Sequence, residues 1–217
     1  MHTRLPRSSR ARRSGAVSVW LVVFVVGYMV GGTVLALRQG NTEFLMYGFA
    51  MVVNIVLVLL VHARVRLTAT VLWLLALWGC LHMMGGTVPI DPEYVIGDGD
   101  PVLYSMRLRP NLPRYDQITH AFGFFSATVL CWESMRVLVG ARSRVALSVC
   151  AAIMGMGLGA MNEVIEFGAT RVTETNVGGY VNTGWDLVSN MVGAVIGGGW
   201  CLVRRVSRVP GGGGDFS

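Results

Sequence analysis

Apolar residues fall into six long runs, at about 15–37, 44–61, 67–88, 115–139, 145–167 and 184–203. Each has close to the ~20 residues that an α-helix needs to cross the hydrocarbon core of a bilayer. The pattern predicts an all-α membrane protein in which residues 15–203 form a bundle of six transmembrane helices. Outside the runs the character changes. Residues 1–14, MHTRLPRSSRARRS, are basic, and 204–217, RRVSRVPGGGGDFS, hold a glycine run that cannot pack, so disorder is expected at both ends. A loop of about 25 residues separates the third and fourth runs. It carries Asp91, Glu93, Asp98 and Asp100, then turns basic at Arg107, Arg109 and Arg114.

The polar residues inside the runs are few and grouped. Asp116 and His120 are four apart, Glu163 and Glu166 three apart, and Asp186 and Asn190 four apart, so each pair shares a helix face. His82 lies near the end of the third run, before Gly85-Gly86, a pair that lets another helix approach closely. A charge deep in a bilayer costs roughly 2.5–3.5 kcal/mol on the insertion scale. Such residues need partners, water, a metal or a function. All seven fall at one level of an alternating bundle, which makes that level the candidate site. Glu133 lies about 20 Å below His120 at 1.5 Å per residue and reads as the partner of Arg136 at the other end.

Each element also has a plainer reading. His82 can be a packing histidine, and Asp116 can favour the N-terminal end of its helix. Asp186 can cap the sixth helix, and Asn190 can bridge helices. Glu163 and Glu166 are harder to reduce to packing, because neighbouring carboxylates repel unless a proton or a cation sits between them.

Composition agrees with the membrane assignment. Of 217 residues, 53% are hydrophobic and only 14% charged, which excludes an ordinary soluble globule. All 18 basic residues behind the net charge of +6 are arginines and most lie next to apolar runs, so the charge reads as a topology and lipid-phosphate signal and not as nucleic-acid binding. With the N-terminus cytoplasmic, thirteen arginines fall on inner segments and five on outer ones, which predicts both termini inside. The first run is too long for a signal peptide and lacks an A-x-A site, and Arg12-Arg13 reads as positive-inside anchoring, so this run is a retained span. Cys80, Cys131, Cys150 and Cys201 lie in apolar runs without CxxC spacing and read as small buried residues. Gly27/Gly31, Gly155/Gly159 and Gly193/Gly197 are small-xxx-small pairs expected to pack helices within the bundle.

Imidazole and carboxylate donors without thiolate suit zinc, manganese or non-haem iron. His82, His120, Asp116, Glu163, Glu166 and Asp186 are the candidate ligands for such a divalent metal. Glu163, Glu166, His120 and Asp116 are the candidate catalytic groups for metal-assisted hydrolysis, supported by Asn190. Without a metal, Asp116 can orient His120 for acid–base chemistry. A proton relay across the membrane fits less well, because no matching acids lie in the cytoplasmic half.

The ordered set Asp116-x3-His120, Glu163-x2-Glu166 and Asp186-x3-Asn190-x2-Gly193 resembles the pattern of VanZ-like membrane proteins. The likeness is closer to their YjdF-type branch. There it extends to LHMMGG (Leu81–Gly86), YDQITH (Tyr115–His120), NEVIEF (Asn162–Phe167) and GWDLVSNMVGA (Gly184–Ala194), covering the chain from the second run onward. In two places the sequence departs from it. Glu166 stands where VanZ-like proteins often have Gln, and VNTG precedes Trp185 where the YjdF-type branch is richer in Asp and Gln. The resemblance implies a multi-pass protein of the bacterial plasma (inner) membrane. VanZ itself is associated with low-level teicoplanin resistance, which implies cell-envelope chemistry on the outer face. Together these readings give three expectations. The first is a metal-dependent membrane hydrolase acting on a lipid-linked or envelope substrate. The second is a cation- or proton-coupled binding or transport protein, and the third a purely structural bundle.

Overall fold

The computed structural model describes residues 17–95, 100–140, 143–171 and 179–204. The ends expected to be disordered, 1–14 and nearly all of 204–217, lie outside these residues, as do Asp98 and Arg142. Six long helices account for most of the described chain: α1 (Val19–Gln39), α2 (Thr42–Val65), α3 (Ala69–Thr87), α4 (Tyr115–Leu138), α5 (Arg144–Thr170) and α6 (Tyr180–Val203). No strand occurs among the described residues, so the all-α expectation holds and each run corresponds to one helix.

The helix ends follow local chemistry. Ser18, Asn41 and Ser143 cap α1, α2 and α5, each side-chain oxygen accepting a backbone N–H of the first turn. Gly40, at φ 65°, closes α1 in the left-handed region that a residue with a Cβ adopts only at a cost. That tight turn also reaches across to α3. Gln39 Nε2 donates to the Thr87 carbonyl at 2.9 Å and Asn41 Nδ2 to the Gly86 carbonyl at 3.3 Å, covering acceptors that the end of α3 leaves unpaired.

Among the described residues five helices are long and apolar enough to cross a membrane; α4 is not among them. Its position explains the difference. It packs most extensively on α6, then on α5 and α3, and also meets α2, so its surface faces protein more than surroundings. Polar residues are therefore tolerated on it. Ser126, Thr128 and Ser134 are buried and return their hydroxyl protons to carbonyls one turn back, at 2.7–2.8 Å. The outer helices instead expose broad apolar faces, among them Val26 and Val30 on α1, Leu57 and Leu60 on α2, and Val164 on α5.

Glycines set the closest approach between helices. A Cβ on Gly193 would fall 1.9 Å from the Ala121 carbonyl oxygen, and one on Gly197 2.9 Å from that of Phe125, so α6 lies directly on the α4 backbone. On α5, Gly155 leaves room for Thr128 and Gly159 for Asn190. Two of the three small-xxx-small pairs thus work inside the bundle as expected. Gly27 and Gly31 do not, since a Cβ on either would meet nothing within 4 Å. The cysteine expectation also divides: Cys131 and Cys201 are buried, Cys80 is half-buried and Cys150 is exposed.

At the end of the bundle away from the long loop, Glu133 departs from its expected pairing. It takes Arg204, just past the end of α6, at 2.9 Å and accepts from the Thr68 hydroxyl at 2.7 Å and the Thr68 N–H at 2.9 Å. Arg136 lies over the Trp132 ring instead, 4.7 Å from its centroid. One turn along α4 puts Arg136 beside Glu133 in sequence, but the Glu133 side chain points at the junction of α3 and α6. It serves there as the cap of α3 that the Thr68 side chain does not provide. Glu133→Ala is expected to lower stability by about 2–3 kcal/mol, somewhat below the cost of breaking a fully buried pair because Arg204 is partly exposed. The thermal midpoint in detergent reads this effect, and Arg136→Ala should move it much less.

Candidate functional site

The segment between α3 and α4 folds back over one end of the bundle. Leu103 N–H bonds the Val88 carbonyl, Ile90 N–H that of Pro101, and Arg107 N–H that of Tyr94, at 2.9–3.0 Å. The resulting cap lowers Tyr104 onto α3, where Gly85 makes space for its ring, while Gly86 makes space for Phe44 of α2. Gly85-Gly86 thus admits one helix, as expected of the pair, and also a loop side chain. Beneath the cap is a cavity of about 80 Å³, room for a few waters. Its wall includes His82, Tyr104, Arg114, Asp116, His120, Glu166 and Asn182.

His120 is the centre of the polar network. Its Nδ1 lies 3.0 Å from Asn190 Oδ1 and 3.3 Å from Glu163 Oε1, and its Nε2 lies 3.4 Å from Asp116 Oδ1. The Asn190 amide fixes a proton on Nδ1. Asn190 Nδ2 donates to Glu163 Oε1 at 3.0 Å, so Asn190 Oδ1 must face His120 and accept from Nδ1–H. Nε2 then faces the Asp116 carboxylate at 3.4 Å, and two such acceptors need a proton or a cation between them. Glu163, Asp186 and Asn190 are buried at 1–3% exposure, behind the cavity and not in its wall.

Two sets of ligand atoms lie within 4.8 Å of one another: Asp116, His120 and Asp186, and His120, Glu163 and Glu166. Asp186 Oδ1 and Glu163 Oε2 are buried without a hydrogen-bond partner among the described residues. Such an orphaned acceptor costs stability unless something else meets it. The donors, one imidazole nitrogen with carboxylate oxygens, fit a divalent ion of the zinc, manganese or iron type. Five of the six expected ligands therefore come together. His82 does not join either set. It stands across the cavity among the rings of Phe44, Tyr47, Trp78 and Tyr104. Burial, and then the charges of Asp116 and Glu166, push the Tyr104 hydroxyl well above its usual pKa, so it keeps its proton and donates to His82 Nδ1.

Several contributors lie outside the expected set of site residues. Asn182 Nδ2 donates to Asp186 Oδ2 at 2.5 Å and reaches Asp116 Oδ2 at 3.5 Å, while its Oδ1 accepts from Arg114 Nη1 at 3.2 Å. Asn162 Nδ2 donates to Glu166 Oε1 at 2.7 Å. Both asparagines sit four residues before a site acid, a spacing visible in the sequence. Asn182 falls outside the sixth apolar run because α6 starts at Tyr180, one turn earlier than the run. That start also places Asp186 inside the helix, away from the capping position. Tyr104 carries no sequence signal at all; only the fold of the cap delivers it.

No curated protein and no solved structure matches the chain. A family described as "Predicted membrane protein (DUF2238)" matches residues 16–207, which takes in all six helices and the whole network around His120, and the chain belongs to that family.

Proposed function

We propose that this protein is a metal-dependent hydrolase of the bacterial plasma membrane, acting on a lipid-linked or cell-envelope substrate from the outer face. In this reading α4 is the sixth span and both termini are cytoplasmic, which the arginine asymmetry supports. The likeness to VanZ-like proteins supports the envelope assignment.

The observation that carries the proposal is the state of His120. With Nδ1–H held by Asn190, and Asn190 held by Glu163, Nε2 is left facing the Asp116 carboxylate with Asp186 in range, a place that takes a cation. Asp116, His120 and Asp186 are the ligands in this reading. Glu163 acts through Asn190 as a positioning residue, the outer partner that fixes a ligand histidine's tautomer and ring orientation. A divalent ion held there supplies Lewis-acid polarisation of a substrate oxygen and a more acidic water. Glu166, in the cavity wall and steadied by Asn162, is the general base. His82, its Nδ1 taken by Tyr104, presents Nε2–H to the cavity as a hydrogen-bond donor. A transmembrane relay is disfavoured: the buried acid at the other end, Glu133, is occupied by Arg204 and Thr68.

The test is the metal content of protein purified in mild detergent without chelator. About one zinc, manganese or iron per chain is expected, and none after supplementation with each metal would sink the proposal. Glu166→Gln should keep the metal and lose about 100-fold or more in turnover of a substrate found by screening envelope lipids. Full turnover in that variant would remove Glu166 from the role of base.

A further inference from the structure

We propose that the cavity receives a phosphoryl group, gripped by the Arg114 guanidinium opposite the Asp116/His120/Asp186 set. This rests on the metal reading above and names the chemistry of its substrate.

Among the described residues Arg114 is the one arginine in the cavity wall, which also holds Asp100, Asp116 and Glu166. The ion pairs among the described residues engage Asp116 and Glu163 with His120, and Glu133 with Arg204, but none includes Arg114. Its only described side-chain hydrogen bond goes to the neutral Asn182 amide, and its Nε–H is buried without a partner among the described residues. A buried guanidinium N–H left unpaired is costly. A neutral tether holds the group in place while leaving most of its fork open, and that planar fork matches the paired oxygens of a phosphate.

Asn182 links this grip to the metal set. Its Oδ1 accepts from Arg114 while its Nδ2 donates to Asp186 and reaches Asp116. Arginine and ligand set therefore lie on two sides of a single amide. An anion entering a cavity walled by Asp100, Asp116 and Glu166 would be repelled by these acids alone; were a divalent ion held by Asp116, His120 and Asp186, an anion between it and Arg114 would be attracted from both sides, which suits a phosphoryl group. The size agrees. A cavity of about 80 Å³ suits one small headgroup and not a whole sugar or lipid. Such a group can belong to a membrane lipid or to a soluble phosphate, and the chemistry at Arg114 is the same.

The experiment is calorimetric titration of the metal-supplemented protein in non-ionic detergent with two probes, inorganic phosphate and dihexanoyl phosphatidate. Metal content is measured on the same samples. Binding that weakens ~10–100-fold in Arg114→Gln at unchanged metal content is expected, from the usual worth of hydrogen bonds to a charged group. Arg114→Lys, which keeps the charge without the fork, should recover only part of the loss. Tighter binding of the phosphatidate identifies a lipid source, and equal binding a soluble one. Failure of both probes to bind, or equal affinity in wild type and Arg114→Gln, overturns the inference. The two readings fail separately. Metal without phosphate binding removes only this inference, whereas Arg114-dependent phosphate binding to a protein that takes up no metal keeps it and removes the metal.

Discussion

Replacing His120 with alanine is expected to strip the divalent ion from an otherwise folded protein, weakening metal affinity by more than about 100-fold. The figure is a lower bound taken from the 10–100-fold that the loss of an outer partner costs at metal sites, since in the proposed site His120 contributes the ligand nitrogen itself. Asn190→Ala removes the outer partner alone and should fall within that 10–100-fold range. It leaves the Nε2 position intact but frees the ring to rotate and to move its proton. Asn190 is buried and touches both His120 Nδ1 and Glu163 Oε1, so both variants need a fold control such as an unchanged elution volume. Competition with a metal-sensitive dye gives the affinities. Wild-type metal content in both variants would show that His120 is a packing residue and that any metal binds elsewhere.

Gly193→Val should cause the largest loss of stability of any single substitution considered for this chain. The added Cβ would lie 1.9 Å from the Ala121 carbonyl oxygen and 2.7 Å from its carbon, and both atoms are α4 backbone, which cannot rotate away. The helices must separate instead. Overpacking a core typically costs 1–3 kcal/mol, and a clash with backbone belongs at or above the top of that range, about 3 kcal/mol or more. The separation also pulls Asn190, less than one turn away on α6, from His120 on α4, so metal affinity should fall together with the thermal midpoint. Gly27→Val is the control. Its Cβ enters open space, and a change within about 0.5 kcal/mol is expected. An unchanged midpoint in Gly193→Val would mean that α4 and α6 do not cross at this glycine.

Much of this protein follows from local properties of the chain. The number and approximate limits of the helices are legible because an apolar run of ~20 residues has few other ways to satisfy its backbone in lipid. The grouping of Asp116 with His120, Glu163 with Glu166 and Asp186 with Asn190 is equally local, since helical spacing alone puts each pair on one face. Alternation of the runs then brings these faces to one end of the bundle, however the helices pack. Even the unexpected Asn162 and Asn182 obey the same four-residue rule.

What the tertiary structure decided is which partner each polar atom takes. Glu133 and Arg136 are three apart on one helix, yet Glu133 is claimed by Arg204, 71 residues away, because α6 ends and α3 begins beside it. Gly27/Gly31 and Gly193/Gly197 carry the same motif, but only the second meets a backbone, since rotation of each helix about its own axis is set by its neighbours. His120 shares a helix face with Asp116, but its Nδ1–H is held from α5 and α6 through Glu163 and Asn190, and His82 takes its hydrogen bond from a tyrosine of the cap. Periodicity along one helix is a property of the chain. Rotation and register between helices emerge only when all six pack, and hydrogen bonds reach across no more than about 3 Å, so the chemistry of the site is written at that second level.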